Sequence, residues 1–466
     1  MKRLTLILLL MLGSLAARGQ AVTRLSLGDC LERSGEDATL QNAALDVLAA
    51  KAQRQEALSL YFPTVSMQAI AFKAFNPLIE LGIRDILGED EAAQRFYDVA
   101  NYAATITDYN VLDWRYTALS SGYGATAIAI QPIFAGGRII GGNRLAVVGV
   151  EAAEAKASLA SREKETQIEE KYWRVVALSE KMRALDDALT AVTSLSGDAS
   201  SAVDAGLLTS TEALQTQVKL RELRSTQVRL RSGIRLAKMD LMESIGVPYS
   251  PYETMATDSL PFIDRIELTD SLGALMPPEH YFIPEEQLAA SLDESRLLDL
   301  QVKAKKIEKQ MVIGEALPQI GVGVSYGYGD FGIGKARWNG GVFASVKVPI
   351  SDWGRTARKA QRYDYELQKA ENQRQQLQGQ LLLRTRKLWL DVTAAWEDVL
   401  VQEDAVAYAE ATLKTVKGNQ SAGLATLSDV LQGQMNLSLA LSDLADARAA
   451  YRTALRAYRA IPVRGE

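Results

Sequence analysis

From Gln319 to Gly327 the chain alternates, with Ile320, Val322, Val324 and Tyr326 on one face and Gln319, Gly321, Gly323, Ser325 and Gly327 on the other. A period of two describes a β-strand with one apolar face. The segment GGVFASVKV repeats the pattern, setting Val342, Ala344, Val346 and Val348 against Phe343, Ser345 and Lys347. TVSMQAIAF and ATAIAIQPI alternate less regularly, so strands are expected near 63–73, 119–133, 318–328 and 340–350. About ten residues is the length a tilted strand needs to cross a bilayer. Four strands cannot close a barrel alone, because the smallest membrane barrels use about eight, so the subunit must oligomerise to hide its edges. The apolar face of Ile320 to Tyr326 is then expected to meet lipid. Gly323, on the opposite face, should accept an acidic side chain unless the lumen is crowded.

Elsewhere the period lengthens. Arg355 to about Gly418 has no proline and reads as one helix, roughly 95 Å long at about 1.5 Å per residue. Such a helix must pack laterally. In the next helix Val430, Leu437, Leu444, Tyr451 and Tyr458 recur at seven-residue intervals, joined by Leu441 and Leu455. That spacing is a coiled-coil seam. Its counterpart in the first half runs through Leu220, Leu223, Leu230, Ile234 and Leu241. Alanines at 440, 445, 447, 449, 450, 454 and 457 occupy other faces of the second helix. They predict close helix neighbours on more than one side, with simple helix propensity as the alternative.

The chain is duplicated. AGLLTSTEALQTQ, from Ala205, returns as AGLATLSDVLQGQ, from Ala422, an offset of 217 residues. The same offset carries Pro132, Gly137 and Arg138 onto Pro349, Gly354 and Arg355. Pro63 and Pro318 are 255 apart, so the first half holds 38 extra residues, within Phe72 to Tyr116. That insertion reads as helix-like and, lying between two strands, as a large surface loop. The domains expected are a signal peptide over 1–19, a first repeat over 20–246, a linker over 247–284 and a second repeat over 285–466.

The signal peptide is Lys2 and Arg3, an apolar stretch from Leu4 to Ala17, and small residues before Gln20. Fourteen apolar residues are short for a spanning helix of roughly 20, and no later segment is longer. Balanced charge, with 52 basic and 57 acidic residues, argues against a nucleic-acid partner. One cysteine, Cys30, and one histidine, His280, leave too few members for a disulfide, a histidine metal site or a nucleophile pair. No cofactor, metal or enzyme activity is expected. The glycines in GVGVSYGYGDFGIG and AGGRIIGG lack the Gly-Lys-Ser/Thr of a phosphate loop.

The signal peptide, the duplicated order of helix, strand, strand, helix and helix, and the turn AGLATLSDVLQ together resemble the TolC-like family of outer-membrane efflux and secretion channels. The resemblance implies a mixed α and β fold. Three subunits would close a twelve-stranded outer-membrane barrel, continued by a periplasmic barrel of helices. It also implies a periplasmic adaptor docked on the helical turns and linked to an inner-membrane pump. By position those turns are Gly206, Leu207 and Thr209, and Gly423, Leu424 and Thr426. Their plainer role is to end one helix and begin the next. The family's acidic periplasmic aperture falls on Asp429, whose repeat equivalent is Glu212. Gln432 stands where a further acid is expected and Ala425 where a base is expected, which puts the usual gating network in doubt. The alternative for Glu212 and Asp429 is favourable charge in a helix's first turn. A periplasmic coiled-coil adaptor or scaffold is the competing function.

Overall fold

The computed structural model describes residues 23–107, 110–205, 209–247, 262–273, 275–330 and 335–460. The expected signal peptide, part of the linker, and Gly206 and Leu207 lie outside them. In the first half the elements are β1 (Thr23–Leu25), α1 (Leu27–Arg33), α2 (Ala38–Ser59), β2 (Thr64–Lys73), β3 (Ile79–Gly82), α3 (Ile83–Leu87), α4 (Glu91–Thr107), β4 (Arg115–Ala118), β5 (Ser121–Ala135), α5 (Arg138–Asp204) and α6 (Ser210–Ser244). The second half has β6 (Ile266–Leu268), α7 (Glu285–Ser291), α8 (Asp293–Gly314), β7 (Gln319–Asp330), β8 (Arg337–Lys347), α9 (Arg355–Ser421) and α10 (Leu427–Arg459). The offsets read from the sequence recur in these bounds. α5 and α9 each have 67 residues, and α9 starts and ends 217 residues after α5. α2 and α8 each have 22, and α8 follows α2 by 255 at both ends.

The chain divides into two compact units, one of residues 51–149 and 303–369, the other of 1–50, 150–302 and 370–466. The first holds an antiparallel four-stranded sheet ordered β2-β5-β7-β8, so β2 and β8 are free edges. Its register aligns Val65, Ala129, Val324 and Val342 across all four strands. Directly opposed residues share a face. One face therefore carries Val65, Met67, Val322, Val324, Tyr326 and Val342, all exposed. At one end of it Trp338 stacks on Tyr326 with ring centroids 5.3 Å apart. The opposite face mixes small and polar residues with Ile70, Ile128, Ile130 and Phe343, and a concavity of about 610 Å³ is lined by Thr126, Ser325, Gly327 and Asn339 among others. A bulge between Pro132 and Phe134 shifts the register of β5 against β7 before Phe134 and Ala135 pair again, as expected where proline lacks an N–H to donate.

Gly323 departs from the expectation for its face. A Cβ there would overlap the ring of Phe343 on β8, so this face is crowded and an aspartate at Gly323 must displace an aromatic ring. The insertion also differs from a helical loop. β3 and β4 pair as a two-stranded ribbon, and Ala93, Tyr97, Ala100 and Leu112 form a small core of their own. Tyr97 closes it by donating to the Gly88 carbonyl at 2.6 Å. Strands of four residues are too short to declare a period, so the sequence reading passed over them.

In the other unit β1 and β6 pair in parallel beside a core of Ile168, Tyr172, Val175 and Val176 from α5 and Leu241 and Met242 from α6. The Tyr172 hydroxyl donates to Asp270 at 2.8 Å. Burial and this bond raise its pKa well above the ordinary phenol range. The seven-residue seam of α10 is buried: Val430, Leu444, Tyr451 and Tyr458 are all inside. Tyr451 donates to the Met276 carbonyl at 2.5 Å, and the Tyr458 hydroxyl accepts from the Ile283 N–H at 2.9 Å. Two tyrosines can thus lie in a helix seam because the linker satisfies their oxygens. The alanines work on two sides, with Ala445 in the core of α5 and α6 and Ala447 in a second core with Val392 and Val399 of α9. Arg456 bridges α10 to Glu165 of α5 at 2.6 Å, and Arg448 bridges it to Glu403 of α9 at 2.7 Å.

Among the described residues no helix is long and apolar enough to cross a membrane. The tightest junction in the sheet unit joins the two repeats. Gly136 has φ +64°, and a Cβ on it would overlap the carbonyl of Gly314 at the end of α8. The obstacle is backbone, which cannot rotate away. Gly136→Val should therefore cost about 3 kcal/mol through overpacking and left-handed strain together, read as a lower unfolding midpoint. Gly141→Ala meets only the flexible Met311 side chain and should cost about 1 kcal/mol or less.

Candidate functional site

Two regions collect the residues singled out by sequence: the helical turns and the apolar face of the sheet. The turn between α9 and α10 is built from local chemistry. Gly423 has φ +76°, its N–H donates to the Gln420 carbonyl at 3.0 Å, and that of Leu424 donates to Asn419 at 2.8 Å. This pair of bonds with a left-handed glycine closes a helix C-terminus. Leu424 is left 79 % exposed. Thr426 then caps α10. Its hydroxyl accepts from the Asp429 N–H at 3.2 Å, and Asp429 Oδ2 accepts from the Thr426 N–H at 2.8 Å and its hydroxyl at 2.7 Å.

The first repeat does the same at the start of α6. Glu212 Oε2 accepts from the Thr209 N–H at 3.2 Å and its hydroxyl at 3.0 Å, and the Glu212 N–H donates back at 3.4 Å. Both carboxylates are thus third residues of capping boxes. The bonds from the Thr426 hydroxyl and then its N–H hold the Asp429 carboxyl below the usual aspartate value. Gln432 is exposed and donates to Asn436 on its own helix at 2.8 Å.

A groove of about 400 Å³ lies between the first turns of α6 and α10, lined by Thr211, Leu214, Val218, Leu431, Gln432 and Met435 among others. The groove brings Gln432 beside the first repeat's helix, which the sequence reading did not foresee. Leu214 and Val218, both exposed, were also passed over. Their four-residue spacing on one helical face was the available signal. The expected docking residues Gly206 and Leu207 lie outside the described residues. In the sheet, Val322, Val324 and Tyr326 are exposed on the apolar face and Ile320 is half-buried on it. Among the described residues no group of acids, histidines and cysteines could hold a metal ion.

Residues 303–461, most of the second repeat, match the family model described as outer membrane efflux protein. No curated protein matches the chain by sequence. Three solved structures share its fold across most of both chains. The outer membrane protein VceC from Vibrio cholerae is 17 % identical, covering 93 % of this chain and 95 % of its own, with a TM-score of 0.69. The Campylobacter jejuni CmeC outer membrane channel is 13 % identical over 94 % and 87 %, at 0.69. The open state of the Neisseria gonorrhoeae MtrE outer membrane channel is 13 % identical over 93 % and 88 %, at 0.66. The resemblance to TolC-like channels read from the sequence is borne out.

In this efflux-protein turn the Asp429 carboxyl is stabilised in its charged form, so its capping contribution is complete above the ordinary aspartate value near 3.8 and is lost as pH falls through the depressed one. The protection of the first-turn amides of α10 against hydrogen exchange, taken relative to their intrinsic rate, should therefore fall below about pH 4. Asp429→Asn should show weaker protection at neutral pH, and the difference from the native chain should close as pH falls below the depressed value.

Proposed function

We propose that this protein is an outer-membrane efflux channel subunit, a passive conduit that works with a periplasmic adaptor and an inner-membrane pump. The observation that carries the reading is the four-stranded sheet with one continuous exposed apolar face and two free edges. A lone sheet of this kind is stable neither in water nor in lipid, because open edges leave backbone groups unpaired. Three copies sharing edges would supply about twelve strands, enough to close a membrane barrel. The apolar face then contacts lipid and the opposite face, which holds Gly321, Gly323, Ser325 and Gly327, lines the passage. A periplasmic adaptor or scaffold would have no use for the exposed apolar sheet. The match to the efflux family supports the same choice.

Glu212 and Asp429 are proposed as the aperture carboxylates. Each cap uses one carboxylate oxygen, leaving the second free to face an ion. Repeated around an axis, the two sites would gather like charges in one water-filled passage, and a double charge gains most there. Gly423, Leu424 and Thr426, with Thr209, are the proposed docking turns for the adaptor. Exposed Leu424 and the groove beside Leu214 and Val218 give an apolar partner helix something to bury.

Val322→Arg, at mid-strand on the apolar face, should cost roughly 2 to 4 kcal/mol of barrel stability, measured as lost heat-resistant oligomer in the outer-membrane fraction. Normal yield would remove β7 from the lipid boundary. Purified channels in planar bilayers should be cation-selective and partly blocked by divalent cations added at the helical end. Asp429→Asn should weaken the block more than Glu212→Gln, and an unchanged block in the double variant returns both residues to capping alone.

A further inference from the structure

The junction between repeats inside the chain is a template for a second junction that the chain leaves open. Within it, Gly136 abuts Gly314, and Gly141 abuts Met311. The offset of 217 carries Gly136 and Gly141 onto Trp353 and Arg358, and the offset of 255 carries Gly314 and Met311 back onto Ser59 and Glu56. These equivalents are bare. Trp353 is 97 % exposed, and Arg358 and Glu56 are both exposed. α2 buries no residue at all. Leu45, which stands where α8 has Leu300, is 60 % exposed, against 6 % for Leu300.

Trp353 is also held in an unfavourable backbone conformation. Its φ is +54°, a region that glycine occupies at the same point of the first repeat and that bulky residues avoid. Such strain persists only where surrounding contacts offset it, and in the single chain nothing covers the indole. The opposite charges of Arg358 and Glu56 fall where the template brings Gly141 against Met311.

We infer that Trp353 and Arg358 of one copy dock on the C-terminal turn of α2 of a second copy, the indole against its Ser59 and the guanidinium paired with its Glu56. The contact repeats, between chains, the one the two repeats make within a chain. Its sequence differs because only the inner junction brings backbone against backbone and so demands glycine on both sides. The inference rests on the proposed closed barrel of several copies and names the surface that closes it.

The test is a disulfide between copies. Full-length chains carrying Glu56→Cys are co-expressed with chains carrying Arg358→Cys, and membranes are treated with an oxidant. Cys30 stays out of the exchange, being fully buried with its thiol pushed up to about 11. A cross-linked dimer should form only when both variants are present, with a yield on the order of tenfold above either alone, because held neighbours reach a high effective concentration. Multi-copy particles of normal mass with no cross-link would overturn the contact and leave the barrel standing. Particles of single-chain mass would overturn both. As a second measurement, Trp353→Gly, which relieves the strain, should lower the temperature at which the oligomer dissociates. An unchanged temperature, with a Trp353 fluorescence quenched by brominated lipid and absent in Trp353→Phe, would place the indole in the bilayer and overturn the docking.

Discussion

A β-sheet in hydrocarbon must pair every backbone N–H and C=O, because no water is present to do so. The sheet of this chain meets that requirement along its three internal seams and fails it along the outer sides of β2 and β8. The two open edges are of similar length, ten residues in β2 and 11 in β8. The apolar face has the same character. Val65, Met67, Val324 and Val342 gain nothing from water and lie in line across all four strands. The open edges and the apolar face are therefore two aspects of one unsatisfied surface.

Duplication shapes how the helices answer the same need. α5 and α9 are equal in length, and each is followed by a threonine cap with an acid three residues on. Yet the two halves are not packed alike, since α8 contributes buried Leu300, Val302, Ile307 and Val312 while α2 contributes none. α8 has a neighbour from the other repeat, against which Gly314 and Met311 rest. Several ion pairs tie α8 to α9, among them Lys305–Glu366, Lys359–Glu315 and Lys309–Asp364. α2 is tied to α5 through Asn143 donating to the Ala57 carbonyl, and Lys164 of α5 pairs with Asp37, just ahead of α2.

At the turns, structure and electrostatics use the same side chains. The caps at Thr209 and Thr426 explain why an acid sits at the third position of α6 and α10 without reference to any ion. They also orient that acid, and at Asp429 the bonds from Thr426 hold the carboxyl below the usual aspartate value. A glutamine at 432 makes no such bond to its own turn and pairs along the helix instead. The difference between an acid that caps and an amide that does not is visible only with the bonds in hand.

What the sequence determined was everything with a period or a repeat. Two-residue alternation placed β7, seven-residue spacing placed the seam of α10, and the offsets of 217 and 255 placed the helices of the second repeat from those of the first. These patterns are local or self-comparing, so they need no knowledge of what lies across a contact. The tertiary structure decided the rest. It satisfied the buried hydroxyls of Tyr451 and Tyr458 with carbonyl and amide groups of Met276 and Ile283, filled the space over Gly323 with Phe343, and turned a helix-like insertion into a ribbon and helix with its own core. Above all it separated Gly136 from Trp353, equivalent by sequence offset, into one junction closed within the chain and one left open. Which of two matching positions finds a neighbour depends on partners distant in the chain, and no period or composition along the sequence carries that information.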